Sequence, residues 1–429
     1  MITKTKFLID RALAVPLAWV ANVAARSLAL VVRRDHDIDP PAVRAIVVAK
    51  LLGMGSIVQA TPLLRDLRRT FRKARLTFLT TQANRELIER LDLVDEVLFV
   101  DDATTRTLFV STARTIVELL KRKIDLYIDL EVYSASASIL SLVSGARNRL
   151  GFYRHSARFK KGIFTHLTVF NPRAPICDIY RQLHVAAGGV KQGEPIFGPL
   201  AVREADSASL KETLARSGID LAPRYVVVNP NASDLLLERR WPAERFVELI
   251  SALARRGEQI VLIGATSETE YVGVLVGRLP TEARAYVRDT SGRLSLGELF
   301  ALLNSAACVV TNDTGPMHFA IALDRPTVCL FGPVSPDHYG VGKRNVETLY
   351  NRVYCSPCAH ELDEPPCAGN NVCMQFLPVD DVLAAVERQL AGQPAVRNML
   401  APAIMYQAPV DGGALGVIVR SSIPTPAAG

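Results

Sequence analysis

The chain has 429 residues, of which 49% are hydrophobic and 22% are charged, and its formal net charge is +7. This length exceeds what one hydrophobic core usually supports, so we expect two domains, and the composition excludes an intrinsically disordered protein. Nucleic acid is a poor candidate partner because aromatic residues are not interleaved with the basic ones and no recognition motif is present. Anionic lipid headgroups or a phosphorylated partner fit the positive charge better.

Residues 1–40 contain an apolar segment with basic residues at helical spacing. Its longest uncharged run, 12–25, is shorter than the roughly 20 residues that span a bilayer. The polar and basic positions fall near multiples of the helical period, so they share one face. They are Lys4, Arg11, Asn22, Arg26 and Arg33. We predict an amphipathic helix, kinked at Pro16, that lies in an anionic membrane surface. A cleaved signal peptide and a helix packed on the protein itself are the alternatives.

Strand and helix patterns alternate along residues 41–195. The apolar runs predict strands over 45–49, 76–80, 97–100 and 126–130 and a helix over 62–71. This is the pattern of a doubly wound parallel sheet with helices on both faces. The segment therefore predicts a first α/β domain.

A second alternating series occupies residues 224–392. It predicts strands over 225–229, 259–264, 306–311 and 326–331 and helices over 243–255, 296–304 and 380–390. Residues 196–223 are richer in Gly, Pro and charge, and we place the interdomain linker there. Residues 393–429 are rich in Ala, Pro and Gly without periodicity, which predicts a flexible tail.

Residues 312–318 (NDTGPMH) are the most informative segment of the chain. They lie between the strand predicted over 306–311 and an apolar helical run at 319–323. Asp313 or Thr314 can cap that helix, and Gly315 allows a sharp turn. The free N–H groups and the dipole of a helix N-terminus favour an anion such as a diphosphate, within reach of His318. The next strand ends beside this turn, at the edge where open parallel sheets bind ligands. A helix cap that binds nothing is the alternative.

Three segments resemble glycosyltransferase family 9, the bacterial ADP-heptose:lipopolysaccharide heptosyltransferase-like family. They are residues 46–62 (IVVAKLLGMGSIVQATP), 229–242 (NPNASDLLLERRWP) and 311–336 (TNDTGPMHFAIALDRPTVCLFGPVSP). The resemblance implies an α/β fold of the GT-B type, with two Rossmann-like doubly wound parallel-sheet domains facing a central cleft. Residues 41–195 would be the acceptor domain and 224–392 the nucleotide-sugar domain.

The resemblance also implies an activity. Family members are inverting, metal-independent transferases, so we expect transfer of a sugar, heptose by default, from an ADP-linked donor. The expected acceptor is a lipid-linked or lipopolysaccharide-type glycan, and no cofactor is expected for catalysis. The expected location is cytoplasmic, peripheral on the inner face of the cytoplasmic membrane.

The family pattern can be carried over residue by residue. Arginine suits a phosphate contact because its planar fork bonds two oxygens at once. Arg239, with Arg240 as a close alternative, would take this role beside Ser233, and a surface arginine pair is the competing interpretation. Glu268 would receive a ribose hydroxyl, and Lys50 would face the acceptor. The other donor residues implied by the resemblance are Asp313, Thr314, Gly315 and His318.

The chain departs from the family at the general base. The family places an Asp in the first loop, where this chain has Ser56, and a hydroxyl cannot deprotonate an acceptor without its own base. Asp129 and Glu131 end a predicted strand two residues apart, so they share a face at its ligand-binding edge. We hypothesise that Glu131 takes the proton while Ser56 orients the acceptor hydroxyl. Alternatively, either carboxylate caps a loop or pairs with Arg147 or Arg149.

Four of the seven cysteines lie in one loop, 355–373, rich in Gly, Pro and Asn. They are Cys355, Cys358, Cys367 and Cys373. Four thiolates can close a structural zinc site or hold an iron–sulfur cluster. Free thiols or two disulfides are the alternatives. The other three cysteines lie in apolar or mixed surroundings, which indicates a reducing compartment.

Two other functions compete with glycosyl transfer. A sugar-nucleotide epimerase of the GT-B type would need no acceptor. A catalytically impaired protein could bind a nucleotide sugar or a partner and act as a scaffold, and Ser56 is the residue that favours this alternative.

Overall fold

The structure is a computed structural model that describes residues 10–32, 35–232, 236–359, 362 and 365–396 and the backbone of 399–404. The chain divides into two compact units, Met1–Ala201 and Val202–Gly429. Each unit is built on one parallel sheet. The predicted α/β fold with two doubly wound, Rossmann-like parallel sheets is thereby confirmed.

The first unit has a six-stranded sheet in the order β3-β2-β1-β4-β5-β6. Its strands are β1 (Ala45–Ala49), β2 (Arg75–Thr81), β3 (Glu96–Val100), β4 (Leu126–Asp129), β5 (Asn148–Tyr153) and β6 (His166–Val169). Its helices are α1 (Val15–Val31), α2 (Met54–Thr70), α3 (Arg85–Leu91), α4 (Thr105–Lys121), α5 (Ala135–Val143), α6 (Lys160–Ile163) and α7 (Ile176–Ala186).

The central strands of this sheet are apolar because helices cover both faces. Val47 pairs with Thr77 of β2 and Tyr127 of β4, and all three are buried. From β1 the chain passes to β2 and β3 on one side, and it later returns to β4 on the other. The carboxyl ends of β1 and β4 therefore flank the topological switch point, where such sheets bind ligands.

The second unit has a seven-stranded sheet in the order β13-β12-β11-β10-β7-β8-β9. Its strands are β7 (Tyr225–Asn229), β8 (Gln259–Leu262), β9 (Val287–Asp289), β10 (Cys308–Asn312), β11 (Thr327–Phe331), β12 (Val346–Val353) and β13 (Met399–Ile404). Its helices are α8 (Glu204–Arg216), α9 (Ala243–Arg255), α10 (Thr269–Gly277), α11 (Thr281–Arg284), α12 (Leu296–Ser305), α13 (Gly315–Ala322), α14 (Pro336–Tyr339), α15 (Val372–Gln375) and α16 (Val379–Leu390).

The switch point of the second sheet lies between β7 and β10. Thr311 of β10 pairs with Asn229 of β7, and Asn312 pairs with Leu330 of β11. The core beneath this edge contains the fully buried Trp241, whose ring centroid lies 5.0 Å from that of Phe246 in a T-shaped pair. The ends of β7, β10 and β11 are thus fixed on a packed core.

Several predicted boundaries differ from the structure. The helix predicted over 62–71 begins at Met54, because Gly53 turns the chain with φ 86° and the buried stripe starts at Ile57. Helix α8 lies inside the range predicted as a linker and belongs to the second unit, where Thr213 Oγ1 donates to Glu298 Oε1 over 2.6 Å. Strand β13 lies inside the segment predicted to be a flexible tail.

The N-terminal segment forms a π-helical turn, Asp10–Ala14, followed by α1. Pro16 lies near the start of α1, directly after the π-helical turn, within one helical stretch that runs from Asp10 to Val31. The predicted kink at Pro16 stays a prediction. Asn22 was predicted on the face toward the headgroups, but it is buried against Gly162 of α6. Lys4 and Arg33 lie outside the described residues.

Candidate active site

The edge of the second sheet presents the N-terminus of α13. Thr314 is its N-cap residue, and Gly315 and Pro316 form the first turn. The Asn229 amide donates to Thr311 Oγ1 over 3.0 Å and to Thr314 Oγ1 over 2.9 Å. The first N–H groups of α13 thus project from a cap that is fixed to the neighbouring strand, in the arrangement that binds anions.

Three asparagines, none of them predicted as a site residue, hold the loops at this edge. Asn312 Nδ2 donates to the Asn231 carbonyl over 2.9 Å, and Asn312 Oδ1 accepts from the Trp241 N–H over 3.1 Å. Asn231 Nδ2 donates to the Ile263 carbonyl over 2.9 Å. The loops after β7, β8 and β10 are therefore joined by buried amides. Within the described residues, the buried Asn231 Oδ1 has no hydrogen-bond partner, so this network keeps one free acceptor. The sequence signal that could have predicted them is their position at the ends of apolar strand patterns.

The arginine pair lies beside the α13 N-terminus. Arg239 Nη1 is 3.3 Å from the Asp313 carbonyl and 3.5 Å from Asp313 Oδ2. The Arg240 guanidinium stacks 3.8 Å from the centre of the Tyr271 ring. Within the described residues, the buried Nε atoms of both arginines have no hydrogen-bond partner. Both guanidinium groups therefore retain donors for an anion, and Tyr271 is a further residue that sequence reasoning missed.

His318 lies one turn into α13. Burial lowers its pKa to about 4, and nearby Arg239 lowers it further in the same direction, while Asp313 opposes both. The imidazole is therefore neutral at physiological pH and can donate one hydrogen bond without adding a charge.

Glu268 lies in the loop after β8. Its Oε2 accepts from the Ala265 N–H over 2.7 Å, which closes the turn Thr266–Glu268. A side chain at Gly264 would come within 2.8 Å of Asn231 Nδ2 and 3.4 Å of Glu268 Cβ, so this loop reaches the same strand edge. Ser233 lies outside the described residues. The structure thus brings Asp313, Thr314, Gly315, His318, Arg239, Arg240 and Glu268 to one edge of one unit.

The corresponding edge of the first unit carries a buried charge cluster. Glu131 Oε1 accepts from Lys50 Nζ over 2.9 Å and from the backbone N–H groups of Leu51 and Leu52 over 2.8 and 3.0 Å. Glu131 therefore pairs with Lys50, and Arg147 and Arg149 contact backbone carbonyls instead. The carboxylate fixes the loop after β1, and the loop-capping alternative is accordingly part of its role.

Asp129 is fully buried at this edge. Its Oδ1 accepts from the Glu131 N–H over 2.9 Å, and its Oδ2 lies 3.6 Å from Lys160 Nζ. Burial raises the pKa of Asp129 to about 6, and Lys160 acts against this shift. Burial also lowers the pKa of Lys160, whose Nζ donates to the Glu131 carbonyl over 2.6 Å. Asp129 and Lys160 thus position Glu131, and Lys160 was not found from the sequence.

Ser56 lies in the first turn of α2, half-buried at the same edge. Its hydroxyl is hydrogen-bonded to that of Tyr180, whose pKa is raised by burial and by the charge of Glu131. Ser56 and Glu131 therefore share a neighbour in Tyr180, which sequence reasoning also missed. Position 56 is the position of the family Asp, and in this chain it carries no carboxylate.

The four-cysteine loop packs on the end of β11. A side chain at Gly332 would come within 2.4 Å of Met374 Sδ and 3.0 Å of Cys373 Sγ. Burial raises the pKa of Cys358 to about 11, and the charges of Cys355 and Cys367 act in the same direction, as expected for neighbouring thiols. Among the described side chains, no group of three or more His, Cys, Asp or Glu is arranged to hold a metal ion. The metal site stays a prediction.

Two parallel-sheet units, each with polar residues at its switch point, define a GT-B-type glycosyltransferase fold. The solved structure of a glycosyl transferase of family 9 from Veillonella parvula matches with a TM-score of 0.69 at 22% identity, covering 84% of this chain and all of that one. The E. coli heptosyltransferase WaaC with ADP-2-deoxy-2-fluoro heptose matches with a TM-score of 0.58 at 20% identity, covering 80% and 99%.

The sequence profile of glycosyltransferase family 9 (heptosyltransferase) matches residues 113–368, more than half of the chain. The chain belongs to this family. Lipopolysaccharide heptosyltransferase 2 of Salmonella typhimurium is 39% identical over 99 residues, which is 23% of this chain and 28% of that protein. The chain thus matches little more than a quarter of the length of that relative.

Proposed function

We propose that the protein transfers a sugar, heptose by family default, from an ADP-linked donor to a lipid-linked or lipopolysaccharide-type glycan acceptor. The observation that carries the proposal is the α13 N-terminus at the switch point of the second sheet, with Arg239 and Arg240 beside it. Among relatives of this fold, WaaC is known with ADP-2-deoxy-2-fluoro heptose, which supports an ADP-linked donor.

The proposed chemistry is an inverting displacement at the anomeric carbon. The acceptor oxygen forms a bond to that carbon as the bond to the diphosphate oxygen breaks, and the electron pair leaves with ADP. Negative charge builds on the leaving diphosphate. The α13 N–H groups and the two guanidinium groups are fixed donors that stabilise this charge without reorganisation, so the proposed step draws on no metal.

The acceptor proton needs a base, and Glu131 is our candidate. Lys50 and two backbone N–H groups hold its Oε1 in place, and Ser56 lies in the same cluster through Tyr180. In the proposed step the acceptor hydroxyl donates to Glu131 while Ser56 orients it. Asp129 and Lys160 hold the Glu131 backbone through hydrogen bonds to its N–H and carbonyl, and in this proposal they do not exchange a proton with the acceptor.

The first test is thermal stabilisation of the purified protein by ADP, UDP, GDP, CMP and dTDP. A ligand that binds the native state raises its stability with the logarithm of concentration over Kd. We expect a shift with ADP and smaller shifts with the others. A transfer assay with ADP-heptose and de-heptosylated lipopolysaccharide then tests the reaction. The absence of a Tm shift with every nucleotide would reject the donor-site assignment.

A second candidate function is a nucleotide-sugar-binding scaffold without transfer activity. Ser56 in place of the family Asp is the observation that favours it. This candidate predicts the same ADP-induced stabilisation but no product with any acceptor, so the transfer assay separates the two.

A further inference from the structure

The N-terminal helix is anchored to the first unit at several points. Asp10 caps α5, accepting from the Ala135 N–H over 3.0 Å and from the Ser136 N–H over 2.9 Å. Ala14, Ala18 and Asn22 follow at intervals of four and are buried, mainly against α5 and α6. A carboxylate at a helix N-terminus is favourable in charge as well as in hydrogen bonding. Helix α1 is therefore an integral part of the unit.

The opposite face of α1 is apolar and exposed. Leu17 is 60% exposed and Val20 67% exposed, although both are large apolar side chains. The exposed set on this segment is Leu13, Leu17, Trp19, Val20, Val23, Leu28, Leu30, Val31 and Val32. An apolar patch of this extent on a folded protein marks an interaction surface.

Basic side chains border this apolar face. Arg26 follows Asn22 by one turn, and its Cγ would lie 2.8 Å from a side chain at Gly162, so it packs on α6, the helix that also carries Lys161. Arg26, Arg158 and Lys161 are exposed. Helix α1 itself contains no acidic residue, and Asp10 before it is occupied in capping α5. Helix α1 and residues 155–163 therefore contribute basic side chains and no acidic ones beside this face.

We propose that the apolar face of α1 and its basic border (Arg26, Arg158 and Lys161) dock the enzyme on the surface of an anionic lipid bilayer. The apolar side chains enter the boundary between headgroups and acyl chains, and the basic ones contact lipid phosphates. The stretch Asp10–Val31 is also long and apolar enough to cross a membrane. Spanning would detach Asp10, Ala18 and Asn22 from their partners, so we favour surface attachment.

The test is co-sedimentation of the full chain with vesicles of phosphatidylcholine containing 30% phosphatidylglycerol. We expect the double variant Leu17→Asp/Val20→Asp to bind at least about tenfold more weakly. Each substitution removes the favourable free energy of transferring an apolar side chain from water into the bilayer. Val274→Asp, at an exposed position of α10 in the second unit, is the matched control and binds like the native protein. Equal binding of the double variant would overturn the proposal.

Two further arms complete this experiment. Arg26→Gln/Lys161→Gln weakens binding to the anionic vesicles, and added salt does the same, because the basic border acts electrostatically. An alkaline carbonate wash releases the native protein, whereas retention after the wash would show a spanning helix and overturn surface attachment. ADP-induced stabilisation stays unchanged in every variant, so this test is independent of the proposed function.

A different observation concerns the four-cysteine loop. Asn371 in this loop donates from Nδ2 to the Arg240 carbonyl over 2.6 Å and to the Glu238 carbonyl over 3.1 Å. The N–H groups of Cys358 and Ala359 donate to the Pro333 carbonyl over 3.0 and 2.9 Å. The loop thus joins the backbone around the arginine pair to the loop that follows β11.

We infer that Asn371 is a positioning residue that fixes Arg239 and Arg240 for the donor diphosphate, and this inference rests on the proposed function. Asparagine supplies both N–H donors, which an aspartate of the same shape lacks. Asn371→Asp should raise the KM for the ADP-linked donor about tenfold with a smaller effect on kcat. Asn370→Asp, at the adjacent exposed position, is the matched control.

A readout that needs no nucleotide keeps this inference separate from the proposed function. Trypsin cleaves after Arg239 and Arg240 only when the surrounding backbone loosens, so we expect faster cleavage there in Asn371→Asp than in Asn370→Asp. Equal cleavage rates would overturn the positioning role whether or not ADP binds. Faster cleavage with an unchanged KM would show that the Asn371 hydrogen bonds stabilise the fold without positioning the arginine pair for the donor, which would also overturn the inference.

Discussion

Asn229 Nδ2 donates to Thr314 Oγ1 over 2.9 Å and so ties the end of β7 to the cap of α13 across the switch point of the second sheet. The same amide reaches Thr311 Oγ1 over 3.0 Å. The turn that we propose binds the donor diphosphate is therefore held in shape without a ligand, which reduces the cost of ordering it on binding.

Asn229→Ala removes both bonds and also the Oδ1 that accepts from the Asn231 N–H and Nδ2, so several buried or half-buried polar groups lose a partner. We expect a loss of about 1–3 kcal/mol in the free energy of unfolding and a weaker thermal shift with ADP. Asn345→Ala is the control, because among the contacts described the Asn345 side chain bonds only to Asp324, in an exposed turn. Unchanged ADP affinity would show that the cap does not depend on this amide.

The arginine pair should act on the leaving diphosphate. Arg239→Met and Arg240→Met each remove a fixed donor, and we expect kcat/KM for the donor to fall about 10²–10³-fold. Arg256→Met is the control, since Arg256 pairs with Glu387 on the surface. Steady-state kinetics with varied donor concentration decide the matter. Native rates in both variants would identify the pair as a surface feature.

Glu131→Gln tests the general base. Glutamine keeps an oxygen acceptor for the N–H groups of Leu51 and Leu52, so the loop after β1 should stay in place. If Glu131 takes the proton, kcat falls about 10²–10⁴-fold while ADP still stabilises the protein. Lys50→Met serves as comparison, because it breaks the same ion pair but leaves the carboxylate. Near-normal transfer by Glu131→Gln would reject the hypothesis.

His318 should make the native state acid-sensitive. Its pKa is lowered to about 4 by burial, from an ordinary value of 6.5, so the unfolded chain binds the proton more readily. The contribution of His318 to the free energy of unfolding is fully present above pH 6.5 and is lost as the pH falls toward 4. At pH 5 the loss is about 2 kcal/mol relative to pH 7.5. Denaturant unfolding of His318→Gln at both pH values should show a correspondingly smaller difference.

The four-cysteine loop is predicted to bind a structural metal. We expect about one zinc ion per chain by elemental analysis, its loss in Cys355→Ser/Cys358→Ser, and a lower Tm after treatment with a chelator. An iron–sulfur cluster would instead give iron and visible absorption. Cys177→Ser, at a buried cysteine of the first unit, should leave the metal content unchanged. Four titratable thiols in metal-free native protein would contradict the prediction.

Local patterns predicted the parallel sheets well. The strand over 45–49 and the helix over 243–255 have the predicted bounds, because apolar runs and helical periodicity determine them. The helix beginning at Met54 was misplaced, since Pro62 suggested a start that the buried stripe from Ile57 overrides. Such a decision depends on tertiary packing, which no local pattern contains.

The polar contacts of the site were less predictable. The turn at 312–318 could be read because its cap, glycine and flanking strands are contiguous. Lys160 and Tyr180 join the cluster around Glu131 from distant parts of the chain, and only the folded topology places them there. Asn371 likewise reaches Arg240 across 131 positions of sequence.

The capping of α5 by Asp10 has a practical consequence for anyone who shortens this protein. Deleting the first 32 residues to remove the exposed apolar side chains would also remove the acceptor of the Ala135 and Ser136 N–H groups and uncover Phe159 and Ile163. A truncation intended to improve solubility would therefore replace one exposed apolar surface by another and destabilise the first unit. Replacing exposed leucines and valines of α1 by polar residues is the gentler route to a soluble enzyme.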